Sequence, residues 1–240
     1  MPSYYCPQLH VESSSLKLEG EEFHHLNRVK RKQSGDLISL NSGHGVMALA
    51  SIEHIERDHA ELEVRQIYSR EMSGPQYAIA LALLKNHHDE LAIEKCTELG
   101  ARDFFPLITQ YSVRSEGKNT LARFRKIALS AIKQCDNPYL PEVHEILDLD
   151  TAIEKIRNAG YQPVLCSEIE RSHWLRDLGA GVNMCFIIGP EGGFSENEFA
   201  FMQDIPQLML SPLVCRAETA AIAVAAQFVG KYSGLQQNSL

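Results

Sequence analysis

Two short stretches near the end of the chain carry residue types that could do chemistry. The first is Ile187-Ile188-Gly189-Pro190-Glu191-Gly192-Gly193-Phe194-Ser195-Glu196-Asn197-Glu198. An apolar run stops at a glycine-rich turn, and the turn runs straight into a helix start. Ser195 and Glu198 have the spacing of a capping box, serine at the N-cap and glutamate three residues on. Three glycines in five residues let the backbone approach a ligand closely and adopt positive φ. A strand, a bare loop and a capped helix together make a pocket whose donors are main-chain groups. The loop lacks the GK[ST] ending of a P-loop, so nucleotide hydrolysis is not expected, and it is not a GxGxxG turn. Taken alone it is equally a tight structural turn.

The second stretch is Leu208-Met209-Leu210-Ser211-Pro212-Leu213-Val214-Cys215-Arg216-Ala217-Glu218-Thr219-Ala220-Ala221. Again a strand ends, an irregular segment follows and a helix begins. Arg216 and Glu218 sit near that helix start, and a salt bridge between them is the plain structural alternative to a functional role. Two successive strand-to-helix loops of this kind would lie side by side at one edge of a parallel sheet, where ligands of open α/β folds bind.

The elements that must hold these loops read as two domains, 1–72 and 73–240. The first has strand-like segments at Asp36–Asn41, Val46–Ile55 and Ala60–Tyr68, with alternation around Leu62, Val64 and Gln66. Phe23 to Val29 fits a short helix. This suggests a small β-barrel. Ser73-Gly74-Pro75 is a linker. Beyond it, strands are expected at Tyr77–Leu84, Phe104–Thr109, Pro163–Ser167, Met184–Ile188 and Leu208–Leu210. Helices are expected at Asp89–Leu99, Leu121–Gln134, Thr151–Asn158 and Ala217–Val229. Strands alternating with helices imply an α/β domain with a mostly parallel sheet.

Composition sets the class. The chain has 240 residues and a net charge of −8, with 44% hydrophobic and 22% charged residues. That is ordinary for a globular protein. No run approaches the roughly 18 apolar residues of a membrane span, and the start lacks the layout of a secretory signal. A cytoplasmic protein with no membrane partner is expected. Six cysteines without a CxxC pair read as reduced thiols. Neither His24-His25 nor His87-His88 has partner spacing for zinc, so no metal is expected. The acidic balance argues against a general nucleic-acid coat, but two basic clusters stand out. One is Arg28, Lys30, Arg31 and Lys32; the other runs from Arg114 to Lys133 and includes Lys118, Arg123, Arg125 and Lys126. Each is either a solvated face or a phosphate-backbone footprint.

The two C-terminal motifs resemble the SPOUT superfamily of knotted methyltransferases, and within it the RsmE-type 16S rRNA uridine-N3 methyltransferases. That family's pattern is Ile-Gly-Pro-Glu-Gly-Gly, then Leu-Gly-x-Arg-Ile-Leu-Arg-x-Glu-Thr-Ala. Glu94-Lys95-Cys96-Thr97-Glu98-Leu99-Gly100 resembles its Gln-Lys-x-Thr-Glu-Leu-Gly. Pro106-Leu107 with Ser112-Val113 resembles its Pro-Leu-x-Thr-x-Arg-Ser-Val, and His25-Leu26 through Gly35-Asp36 resembles its PUA-like domain. The likeness covers nearly the whole chain.

The resemblance implies a C-terminal α/β-knot, a trefoil-knotted, mostly parallel sheet, behind a PUA-like β-barrel. It implies S-adenosylmethionine (SAM) as cofactor, held by Leu165, Gly189, Glu191, Gly192, Gly193, Leu210, Val214, Cys215, Thr219 and Ala220. It implies a homodimer acting on 16S rRNA or the small ribosomal subunit. Arg216 is the implied catalytic residue, stabilising a developing uracil anion. Arg28, Arg31, Lys85, Arg114, Arg123 and Lys126 are the implied RNA contacts.

The chain departs from the pattern where arginines are expected. Leu213 replaces the motif's first arginine and Ser211 its glycine. Lys133-Gln134-Cys135-Asp136-Asn137 stands where Glu-Gln-x-Gly-Arg is usual. Most of the cofactor side is kept while arginines suited to RNA are missing. Two further readings follow: the same fold and cofactor with another RNA target, or an RNA- or ribosome-binding protein with little catalysis.

Overall fold

The computed structural model describes residues 2–113, 117, 119–169, 173–179 and 181–232. The chain divides into two compact units. One comprises residues 1–72 with Leu129–Leu140, the other 73–128 with Pro141 onward. The second basic cluster is therefore split: Leu129–Leu140, expected in the C-terminal part, groups with the N-terminal unit.

The first unit contains β1 (Tyr4–Tyr5), β2 (Ser15–Glu19), α1 (Gly20–His24), a π-helical turn at His25–Val29, β3 (Leu37–Asn41), β4 (Val46–Ile55) and β5 (His59–Ser69). The strands pair in the order β1-β3-β4-β5-β2. Alternation in β4 turns Val46, Ala48, Ala50 and Ile52 inward. They meet Leu18, Leu26, Ile38, Leu40 and Leu62 in one core. Register shifts between Leu49/Ala50 and Ile52/His54 bend β4 against β5, as bulges do. The returning segment is tied in by Asn41 Nδ2, which donates to the Asn137 carbonyl at 2.8 Å. Lys133 also pairs with Glu22 at 2.5 Å. Strands β1 and β2 escape sequence reading because they are short and, in β2, largely exposed.

The second unit follows with β6 (Tyr77–Ala82), α2 (His88–Glu98), β7 (Asp103–Ile108), α3 (Thr120–Cys135, which continues into the first unit), β8 (Glu142–Val143), β9 (Leu147–Asp148), α4 (Leu149–Asn158), β10 (Gln162–Cys166), β11 (Met184–Ile188), α5 (Glu196–Phe201), β12 (Gln207–Leu208) and α6 (Ala217–Tyr232). The strand order is β12-β10-β11-β6-β7-β8, with β9 also on β7, and every pair is parallel. Strands β6 and β11 are buried at every residue, which is why they read as unbroken apolar runs. From β6 the chain builds outward to β7, then crosses to the other side, where it lays β10 first, inserts β11 between β10 and β6, and adds β12 outside β10. The order reverses between β6 and β11, so a crevice opens beyond their C-terminal ends.

The C-terminal helix has an unusual position. It packs on β6 and β11 and also against a short 3-10 turn at Leu175–Asp177, inside the connection from β10 to β11. Lys231 Nζ donates to the Leu175 and Leu178 carbonyls at 2.8 and 2.7 Å. Helix α6 therefore contacts both the sheet and the described turn of this connection. This is the packing expected of the α/β-knot class.

Candidate active site

Three loops converge beyond the β10, β11 and β12 strand ends. They enclose a cavity of about 230 Å³, near the small end of small-molecule sites. Its walls are Leu165 to Ile169 at the end of β10 and beyond it, Gly189 to Phe194 after β11, and part of the Leu210–Ala217 segment that leads into α6. Phe199 of α5 and Ala220 of α6 complete it.

The glycine loop is built by local rules. Gly193 N–H donates to the Pro190 carbonyl at 2.9 Å, closing a tight turn. Gly193 itself has φ +71°, which favours glycine. Gly189 serves packing: a Cβ there would lie 2.8 Å from the Phe194 ring. The expected capping box is present. Glu198 Oε2 accepts from Ser195 N at 2.8 Å, and Ser195 Oγ accepts from Glu198 N at 3.3 Å. The other Glu198 oxygen accepts from Gln110 N at 2.9 Å. Glu191 Oε1 accepts from Lys85 N at 3.1 Å, joining the β11 loop to the end of β6. The third loop is held from α6, where Gln227 Nε2 donates to the Leu210 carbonyl at 3.0 Å.

Of the ten expected cofactor residues, Leu165, Gly189, Glu191, Gly192, Gly193, Leu210, Cys215 and Ala220 line the cavity. Val214 and Thr219 do not; both are exposed. Val214 is turned outward in the irregular loop, and Thr219 sits on the other side of the first turn of α6 from Ala217 and Ala220. Sequence reasoning missed Ser167, Glu168 and Ile169. A third strand ending at the same sheet edge was the available signal. The lining is mostly apolar, with main-chain groups of the glycine loop and few charged side chains. That donor set suits a flat heteroaromatic group with a short polar tail. Burial raises the Cys166 thiol well above its usual range, so it stays a neutral thiol in this wall.

Arg216 is exposed, and its side chain makes no hydrogen bond or ion pair among the described residues; its main-chain carbonyl accepts from Ala220 N at 2.8 Å. The anticipated Arg216–Glu218 bridge is not formed. Glu218 is 8% exposed and pairs with His88 of α2, Nδ1 to Oε1 3.2 Å. A two-residue spacing at a helix start points the two side chains apart.

The basic stripe is also rearranged. Arg123 Nε pairs with Glu90 at 2.7 Å, Arg125 donates to the Val143 carbonyl, and Lys133 is taken by Glu22. Lys126 is exposed; Arg114 and Lys118 lie outside the described residues. Arg28, Arg31 and Lys85 are exposed. His87 joins Glu90 at 2.7 Å. Two groups with metal-ligand proximity occur, His87/Asp89/Glu90 and Asp103/Glu142/His144. The first includes the His87–Glu90 pair and the second a His144–Asp103 pair at 2.8 Å. No helix among the described residues is long and apolar enough to cross a membrane.

Comparison with known proteins agrees with this geometry. The model of the RNA methyltransferase domain matches residues 71–229, and that of the RNA methyltransferase PUA domain matches residues 18–65. Ribosomal RNA small subunit methyltransferase E of Helicobacter pylori is 30% identical over 220 residues, covering 88% of this chain and 92% of the relative. The crystal structure of the enzyme of that name from Neisseria gonorrhoeae, bound to S-adenosyl methionine, superposes with a TM-score of 0.86 at 25% identity. It covers 96% of this chain and 98% of its own. A Legionella pneumophila methyltransferase structure with bound SAM gives 0.82 at 26% identity, covering 96% and 97%. The cavity beyond the β10, β11 and β12 strand ends and these matches lead to one assignment: the chain belongs to the RsmE-type RNA methyltransferase family.

Proposed function

We propose that the protein is a SAM-dependent methyltransferase that modifies N3 of a uridine in small-subunit ribosomal RNA. The observation that carries this reading is the cavity built from three loops at one sheet edge, with Arg216 one residue from its lining. When bound, SAM supplies an electrophilic methyl group. The chain's own residues supply position and charge. Main-chain groups and apolar walls hold the cofactor and exclude water. The uridine imide nitrogen carries a proton and is a poor nucleophile until that proton leaves. Arg216 stabilises the uracil anion with fixed donors and a permanent charge.

Arg28, Arg31, Lys85 and Lys126 offer exposed cations to the RNA backbone. Arg123 contributes less because Glu90 already engages it. Two copies pair to complete the site in the cytoplasm. Leu213 and Val214, 76% and 71% exposed, give an apolar surface for the second copy. Leu213 stands where the family pattern has arginine, which favours a shifted RNA target as the second reading. Mass spectrometry of 16S rRNA from a deletion strain tests the proposal. Loss of one N3-methyluridine is the expected result. Loss of a methyl group elsewhere selects the second reading, and intact methylation with no calorimetric SAM binding sinks both.

A further inference from the structure

A second hollow adjoins the cofactor cavity. It is a groove of about 590 Å³ lined by Lys85, Gln110, Tyr111, Ser112, Val113, Glu191 and Gly192. Glu191 and Gly192 line both spaces. The groove's far side is the turn that follows β7, and that turn is fixed at several points. Ser112 N–H donates to the Thr109 carbonyl at 3.0 Å, and Ser112 Oγ accepts from Thr109 N at 3.0 Å. Gln110 N is held by Glu198. Tyr111 rests against the glycine loop: a Cβ on Gly192 would lie 3.1 Å from Tyr111 Cβ. Yet the tyrosine is 45% exposed. An aromatic ring left half in water on a braced turn, beside a methyl-donor cavity, is a surface for another ring.

We infer that Tyr111 is the stacking platform for the target base, with Lys85 at the rim of the same groove. This rests on the reading of the protein as an RNA methyltransferase. A base inside RNA must leave its stack to reach an enclosed methyl donor, and an aromatic face replaces the stacking it gives up. The groove shares Glu191 and Gly192 with the cofactor cavity, so a base stacked on Tyr111 lies at the cavity's edge, next to the donor. A phenol ring selects a flat partner rather than a phosphate.

The test compares wild type, Tyr111→Ala and Tyr111→Phe. It measures SAM affinity by calorimetry, methyl transfer to 16S rRNA, and binding of a short uridine-containing single strand by fluorescence anisotropy. Tyr111→Ala should lower kcat/KM and oligonucleotide affinity by roughly ten- to a hundredfold with SAM affinity unchanged. Tyr111→Phe should restore most of both. Unchanged kcat/KM and oligonucleotide affinity in Tyr111→Ala overturn the platform, as does a parallel loss of SAM affinity or a Phe variant as poor as Ala. A wild type without methyl transfer sinks the enzymatic reading instead, and the binding measurements then still decide the platform.

Discussion

His88 Nδ1 stands 3.2 Å from Glu218 Oε1 and joins the first residue of α2 to the first turn of α6. The other Glu218 oxygen is buried with no hydrogen-bond partner among the described residues. Removing the histidine leaves a buried carboxylate with neither oxygen satisfied. His88→Ala should therefore cost about 1–3 kcal/mol in urea unfolding. Glu218→Gln should cost less, because it removes the charge that needed a partner. The double variant should fall short of the sum; strict additivity would show the pair to be energetically independent.

Glu198 has two tasks, closing the α5 cap and bracing Gln110. Ser195→Ala removes only the cap bond and should cost about 1 kcal/mol. Glu198→Ala removes cap and brace and should cost measurably more, while also loosening the turn that carries Tyr111. Thermal melts of the two variants decide the point. Equal losses would mean that the Gln110 contact contributes nothing.

The Arg216 side chain has no intramolecular commitment among the described residues, so its charge is available to substrate. Arg216→Ala should lower kcat by roughly a hundredfold or more and leave SAM affinity unchanged. Arg216→Lys should recover little, because an ammonium lacks the planar fork. A rise in the SAM dissociation constant matching the loss in kcat would assign Arg216 to cofactor binding.

Thiol chemistry gives a readout of the cavity without RNA. Burial pushes the Cys6 thiol up to about 11 and also raises Cys96 and Cys185. A raised thiol stays protonated below its folded value, so at pH 8 these three resist iodoacetamide. Cys215 is half-buried and lines the cavity. It should label in the native protein, and SAM should protect it. Peptide mass mapping checks both statements. Labelling of Cys215 at the same rate with saturating SAM would remove it from the cofactor wall.

The C-terminal strands were legible because burial on both faces leaves an apolar run with clear ends: Met184–Ile188 is observed at the expected residues. The Ser195–Glu198 box was equally legible, since capping is a local matter of four residues. Charge pairing was not. Lys133 finds Glu22 and Arg123 finds Glu90 across long sequence separations, and nothing in local periodicity signals such partners. The same limit explains Glu218, whose partner lies on α2 rather than two residues away. Strands β8 and β9, of two residues each, owe their existence to β7 rather than to their own pattern. Thr219 falls outside the cavity lining because helical phase near a start depends on where the first turn is set.

The last described helix also furnishes Ala217 and Ala220 to the cavity. The same helix is held at its far end by the turn between β10 and β11, through Lys231. A ribosome delivers that turn first and the helix afterwards. Every earlier strand can be in place while the pocket still lacks a side, so a chain whose last helix is undocked has no closed chamber for a methyl donor.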